Sequence, residues 1–224
     1  MGKKITNDLN KVSIGGNYIG GDNIVNYYYV SKPVTNKEEE DSKTIFLSYN
    51  WNDVEVADKI DKYLSAFPRI TVKRDIRDIG IWKSIREFMK SIRQQDYVVL
   101  IVSDLYLRSR NCMFEVMEVM KEVEYKDKIF PAVLEKRIYN PLVRVEYVKY
   151  WQQECNKLEA AIKELDTENI AGFAVDLRQY KSIASSIGEF LDIVADKNNP
   201  NIQEIEIQIE KAVLKNNNEK GNGI

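Results

Sequence analysis

From Lys43 onward the chain alternates short apolar runs with stretches in which apolar residues return every three or four positions. Thr44-Ile-Phe-Leu-Ser48 is an apolar run of strand length. Val56, Ala57, Ile60, Leu64 and Phe67 then mark one face of a helix, with Asn52 or Asp53 as its cap. Ile70-Thr-Val72 predicts a second strand, running out at Asp75, and Ile81, Ile85, Phe88 and Ile92 give the next helical stripe. Tyr97-Val-Val-Leu-Ile-Val102 has no alternation, as expected of a central strand covered on both faces. Met113, Val116, Met120 and Val123 place a helix starting near Asn111. Ile129 to Leu134 predicts a fourth strand, in which Pro131 argues for an edge or a bulge. Trp151, Cys155, Leu158, Ile162 and Leu165 fit a fourth helix. Ile170 to Leu177 reads as a fifth strand, and Ile183, Ile187, Phe190 and Val194 as a fifth helix.

Regular strand–helix alternation predicts right-handed βαβ units, here an open parallel sheet of five strands in flavodoxin-like order with helices on both faces, over residues 43–196. The flanks differ. Ile14-Gly-Gly-Asn-Tyr, Ile19-Gly-Gly-Asp-Asn and Ile24-Val-Asn-Tyr-Tyr repeat an isoleucine every fifth residue, so residues 1–32 read as a repeat segment suited to self-association or, by their glycines and asparagines, as a linker. Residues 33–42, with Glu38-Glu-Glu-Asp41, read as a solvated tether. In the tail, residues 197–224, Ile202, Ile205, Ile209 and Val213 fit a helix, while Ile205-Glu-Ile-Gln-Ile209 alternates like a strand. The chain after Leu214 reads as disordered.

Composition narrows the chemistry. A chain of 224 residues with a formal charge of −2 has no global pull towards nucleic acid or a membrane surface. Its start lacks an apolar run behind the lysines, which predicts a cytoplasmic protein. Two distant cysteines, Cys112 and Cys155, fit a reducing compartment and give no metal framework. The absence of histidine excludes Ser-His-Asp and Cys-His catalysis and the histidine-based zinc sites. Any reaction must run on carboxylates, hydroxyls, Cys, Lys, Tyr or Arg.

Open parallel sheets bind ligands beyond the carboxyl ends of their strands, where strand order switches. Three polar groups fall there: Ser48-Tyr-Asn-Trp51 after the first strand, Asp75 after the second, and Ser103-Asp-Leu-Tyr106 after the third. The following helix adds Glu115 near its start, where the helix field favours the anion. Such a carboxylate can act as a nucleophile or stabilise an oxocarbenium-like ribose; Glu118 and Glu122, on a neighbouring stripe, are expected to be solvated. Ser48 and Ser103 cap strand ends or bond the backbone. Tyr49, Trp51 and Trp82 can stack a nicotinamide or adenine, or simply pack. Arg74, Arg77, Arg108 and Arg110 can meet a pyrophosphate or water. Cys112, near a helix start, is either an activated thiol or a small buried one. Gly15-Gly16 and Gly20-Gly21 lack the spacing of a phosphate loop.

Four ordered segments, Ile45-Phe-Leu-Ser-Tyr49, Arg74-Asp-Ile-Arg-Asp-Ile-Gly80, Ser103-Asp-Leu-Tyr-Leu-Arg-Ser109 and Cys112-Met-Phe-Glu115, resemble the motifs of a Toll/interleukin-1 receptor (TIR) domain, nearest to its bacterial branch. Some members of that family cleave the nicotinamide–ribose bond of NAD, and others only dock further TIR domains. The resemblance implies that Glu115 is the catalytic glutamate. It also implies that NAD is a substrate met by Phe46, Ser48, Tyr49, Asn50, Trp51, Asp75, Trp82, Ser103, Tyr106, Asn111 and Cys112, with no cofactor and no metal. The loop carrying Arg77, Asp78 and Gly80 looks like the mobile loop that contacts a neighbouring subunit. One position departs: many cleaving bacterial members carry Trp before the cysteine, where this chain has Asn111, so Trp51 or Trp82 would have to shield the ribose.

The expectation is therefore an NAD glycohydrolase, giving ADP-ribose or its cyclic form, acting in signalling or defence and switched on by self-assembly through TIR–TIR contacts and residues 14–29. A non-catalytic TIR scaffold is one alternative. A nucleoside deoxyribosyltransferase-like enzyme, which shares the fold type and a glutamate nucleophile, is another.

Overall fold

The computed structural model describes residues 42–74 and 84–219. Four parallel strands, Lys43–Ser48 (β1), Ile70–Lys73 (β2), Tyr97–Val102 (β3) and Ile129–Val133 (β4), lie in the order β2-β1-β3-β4. The reversal of order between β1 and β3 is the expected switch point. Register pairs Ile45 with Tyr97 and Ser48 with Leu100, so the two strands finish side by side. β3 is buried from Val98 to Val102, which accounts for its unbroken apolar sequence.

β4 is the outer strand. Leu134, just past its end, donates its N–H to the Val102 carbonyl. Alternate residues of a strand face alternate neighbours, so Pro131 faces outward and its missing N–H costs no ladder bond. Lys197 reaches the same edge and donates from Nζ to the carbonyls of Lys126 and Ile129, at 2.6 and 3.1 Å.

The helices are Val54–Leu64 (α1), Ile85–Lys90 (α2), Asp104–Arg108 (α3), Arg110–Val119 (α4), Tyr125–Lys128 (α5), Pro141–Lys163 (α6), Thr167–Asp196 (α7) and Ile205–Glu219 (α8). One sheet face, with Phe46, Val98, Leu100 and Val102, packs against Met113 and Val116 of α4 and Ile183, Ile187 and Phe190 of α7. The other, with Ile45, Leu47, Val99 and Ile101, packs against Ala57, Ile60 and Leu64 of α1 and Ile205, Ile209 and Val213 of α8. The tail thus resolves in favour of a helix, which continues through Glu219.

The expected fifth strand is not formed: Ile170 to Leu177 lies inside α7, a helix of 30 residues. A short apolar run does not by itself tell strand from helix. Here no proline interrupts the run up to Asp196, and Ile183, Ile187, Phe190 and Val194 anchor the continuous helix at helical spacing. Gly172 lies within this helix, where its cost of about 1 kcal/mol relative to alanine is too small to end it. α6 begins ten residues before the predicted stripe, because Pro141 occupies its first turn and the Asn140 side chain accepts from the Leu142 N–H at 2.9 Å. Among the described residues no helix is long and apolar enough to cross a membrane.

Candidate functional site

Three short turns at the carboxyl ends of β1 and β3 build the site. After β1, the Asn50 side chain accepts from the Asn52 N–H at 3.0 Å and donates from Nδ2 to the Leu105 carbonyl at 3.2 Å, tying one turn to the other. After β3, Ser103 Oγ accepts from the Tyr106 N–H at 3.0 Å, capping α3, and donates to Asp53 at 2.7 Å. Ser109 then caps α4, accepting from the Cys112 N–H at 3.4 Å. Two successive serine caps turn the chain twice within seven residues and set α4 beside the end of β1.

That placement carries Cys112 and Glu115, one helical turn apart, to the β1 terminus. The Cys112 thiol donates to the Tyr49 carbonyl at 3.5 Å. The Ser48 hydroxyl donates to Glu115 Oε2 at 2.5 Å, and 2.8 Å separates Ser48 Oγ from the Tyr106 hydroxyl. Glu115 is only 5% exposed, and Ser48 and Tyr106 are fully buried. Glu115 sits in the second turn of α4, past the first turn where the helix field is strongest, and its carboxylate accepts from the Ser48 hydroxyl. The Tyr106 hydroxyl is pushed well above its ordinary value, by burial first and then by Cys112 and Glu115. Burial also raises the Asp53 carboxyl, against the Ser103 hydrogen bond and with the charge of Glu135.

Of the residues singled out in the sequence, Ser48, Tyr49, Tyr106, Cys112 and Glu115 meet in this cluster, and Asn50 and Ser103 brace it. Trp51 is 66% exposed beside it and Asn111 is exposed at the first turn of α4. Phe46 is fully buried, its ring centroid 5.6 Å from that of Phe88. Asp75, Trp82, Arg77, Asp78 and Gly80 lie outside the described residues, as do residues 1–41.

Of the four arginines, Arg77 lies outside the described residues, and the other three are engaged with side chains of the protein itself. Arg74 is buried, donating to the Tyr49 hydroxyl from Nε and Nη2 at 3.2 and 2.7 Å and pairing through Nη1 with Asp58 and Asp61 at 2.6 and 3.3 Å. Arg108 lies over the rings of Tyr147 and Tyr150 and bonds Asp104 at 3.1 Å, and Arg110 pairs with Asp176 at 3.2 Å. Glu118, expected in solvent, is 2% exposed and paired with Lys121 and Arg93. Asp53 and Arg74 are the site neighbours whose parts the sequence did not reveal. Their place after a strand end was visible, but their partners come from distant segments.

No group of three or more His, Cys, Asp or Glu among the described residues could hold a metal ion. A mainly apolar cavity of about 260 Å³ lies at the opposite ends of the strands, between the start of β4, residues 197–200 and α8, and Glu115 does not line it.

Fold and cluster together define a doubly wound α/β domain with its polar site at the β1/β3 switch point. The chain belongs to the TIR domain family, whose pattern it matches over residues 45–165. TIR domains serve signalling and TIR–TIR assembly, and the family includes NAD-cleaving enzymes. Neither the curated proteins nor the solved structures yield a match to the chain.

Proposed function

We propose that this TIR domain is an NAD glycohydrolase with Glu115 as its catalytic carboxylate. The observation that carries the reading is a buried glutamate at the sheet's switch point, held by the Ser48 hydroxyl at 2.5 Å. Breaking the bond between ribose C1′ and the nicotinamide nitrogen sends the electron pair to the ring and leaves positive charge on the sugar. A carboxylate fixed in a water-poor site stabilises that charge far more than it would in water. Water then bonds to C1′ and releases a proton, giving ADP-ribose; attack by an adenine nitrogen of the same molecule gives the cyclic product. Nicotinamide is already a stable leaving group, so no general acid is needed on that side, consistent with a chain that has no histidine.

The scaffold reading draws on Asn111, which is exposed where many cleaving members carry Trp. Incubating the purified full chain with NAD and following nicotinamide release separates the two readings. Glu115→Gln keeps size and helix compatibility but removes the charge. Its rate is expected to drop by about a hundredfold or more, on the order of 3 kcal/mol in the barrier, with the melting temperature nearly unchanged. Turnover near that of the parent in the variant would remove Glu115 from the chemistry, and no turnover in the parent would favour the scaffold.

A further inference from the structure

Ser48 Oγ lies within hydrogen-bond distance of both Glu115 Oε2 and the Tyr106 hydroxyl, and all three residues are buried. A serine hydroxyl has one proton and two lone pairs. With that proton given to the Glu115 carboxylate, Ser48 Oγ meets Tyr106 as an acceptor, so the chain of donation runs from Tyr106 through Ser48 to Glu115. We propose that Tyr106 and Ser48 are positioning residues that hold Glu115 ionised and in one orientation, and that neither hydroxyl touches NAD. The proposal rests on the reading of Glu115 as the catalytic carboxylate.

Both donors stand on rigid elements. Ser48 is the last residue of β1, paired in register with Leu100 of β3, and Tyr106 is fixed through its backbone to the Ser103 cap. The tyrosine stays a neutral donor, because burial, Cys112 and Glu115 all oppose its ionisation. Successive hydroxyl donors in a dry site polarise one another, strengthening the bond that reaches the carboxylate. Of the other groups near it, the Cys112 thiol, on the same helix, is directed to the Tyr49 carbonyl, and Glu118, one turn on, is paired with Lys121 and Arg93. No other charged side chain is seen bonded to Ser48 or Tyr106 among the described residues. Two hydroxyls that read in the sequence as substrate contacts thus act through a third residue.

The decisive measurement is the titration of Glu115 itself, followed by carboxyl carbon NMR on protein with labelled glutamate and assigned by the signal lost in Glu115→Gln. Ser48→Ala is expected to move the midpoint up by about one unit, and Tyr106→Phe, which removes a single oxygen, by less. Because Tyr106 acts only through Ser48, the double variant is expected to match Ser48→Ala alone. In the NAD assay, Ser48→Ala should lower kcat about tenfold with KM unchanged, because the carboxylate is no longer held in one orientation. An unmoved midpoint in Ser48→Ala, or a Tyr106→Phe shift that persists in the Ser48→Ala background, would overturn the chain of donation. A raised KM with unchanged kcat would make these residues substrate contacts instead. If the parent proves not to cleave NAD, the functional reading fails, while the titration still decides whether the two hydroxyls govern the carboxylate.

Discussion

Arg74 at the end of β2 brings together three acceptors from earlier in the chain: the Tyr49 hydroxyl, Asp58 and Asp61. Its own side chain is 7% exposed and that of Asp61 12%, while Asp58 is mostly in solvent. Removing the guanidinium leaves the Asp61 charge buried without that partner, which matters more than the loss of attraction to Asp58. Arg74→Met is expected to cost about 3 kcal/mol in urea unfolding, and Arg74→Lys to recover only part, since one ammonium cannot fork towards three groups. A loss below about 0.5 kcal/mol, typical of an exposed pair, would make the cluster a surface feature. Asp104 gives the pH counterpart. Burial pulls its carboxyl up, but the Tyr147 hydrogen bond at 2.8 Å and the guanidinium groups of Arg108 and Arg137 outweigh it and hold the carboxyl below the usual range. A depressed folded pKa adds stability that is complete above the unfolded value of about 3.9 and disappears as pH falls through the folded one. Asp104→Asn should therefore be less stable than the parent at pH 7 and lose less on acidification. Urea midpoints of both at neutral pH and near pH 3 check the sign, and parallel losses would refute it. At this scale the sequence was readable where a residue's place at a strand or helix end already fixed its position, as for Ser48, Ser103 and Glu115, which the structure brings to the ends of β1 and β3. It was unreadable where the role depends on distant partners: nothing near Glu118 announces that it is buried, and nothing near Arg74 announces Tyr49.

The elements follow the same logic. β1, β3 and β4 were legible because short apolar runs, three residues in β1 and five or six in the others, are each bounded by polar turns, and Pro131 correctly marked an edge. Ile170 to Leu177 was misread because its apolar density is that of a strand, while the decision lay ten residues later, in the stripe that anchors α7. In the tail both periods were present, and burial chose between them: Ile205, Ile209 and Val213, four apart, are buried, and Ile207 between them is 42% exposed. Ile209→Ala is thus expected to cost about 2–4 kcal/mol, by lost burial and a residual cavity against β1 and β3. Ile207→Ala should stay within about 0.5 kcal/mol. Chemical denaturation of the pair tests the face assignment, and equal costs for the two variants would contradict it.

On the scale of the whole molecule, the family pattern stops at residue 165, yet the core does not. One sheet face is closed by Ile183, Ile187 and Phe190 and the other by Ile205, Ile209 and Val213, so α7 and α8 are part of the folding unit although the family pattern leaves them out. The opposite end of the chain poses a different question. Residues 14–29 lie outside the described residues, but their sequence returns an isoleucine every fifth position, pairs glycines with two of the three copies, and ends in Tyr27, Tyr28 and Tyr29. We propose that this segment, too short to make a core, pairs with another copy, since as a strand it would leave apolar side chains and strand edges to be covered. A charged tether over residues 33–42 would then keep the TIR domains at high effective concentration without fixing their orientation. Removing residues 1–32 is expected to leave a folded domain of smaller oligomeric state, with its melting temperature little changed. The specific rate of NAD cleavage should fall most at low protein concentration and recover as concentration rises, because added protein replaces the lost tethering. Light scattering on the full and shortened chains, run beside the NAD assay, reads both quantities. Equal mass and equal concentration dependence in the two would mean that the repeat is only a linker, and that assembly, if it governs activity, is carried by the TIR domain alone.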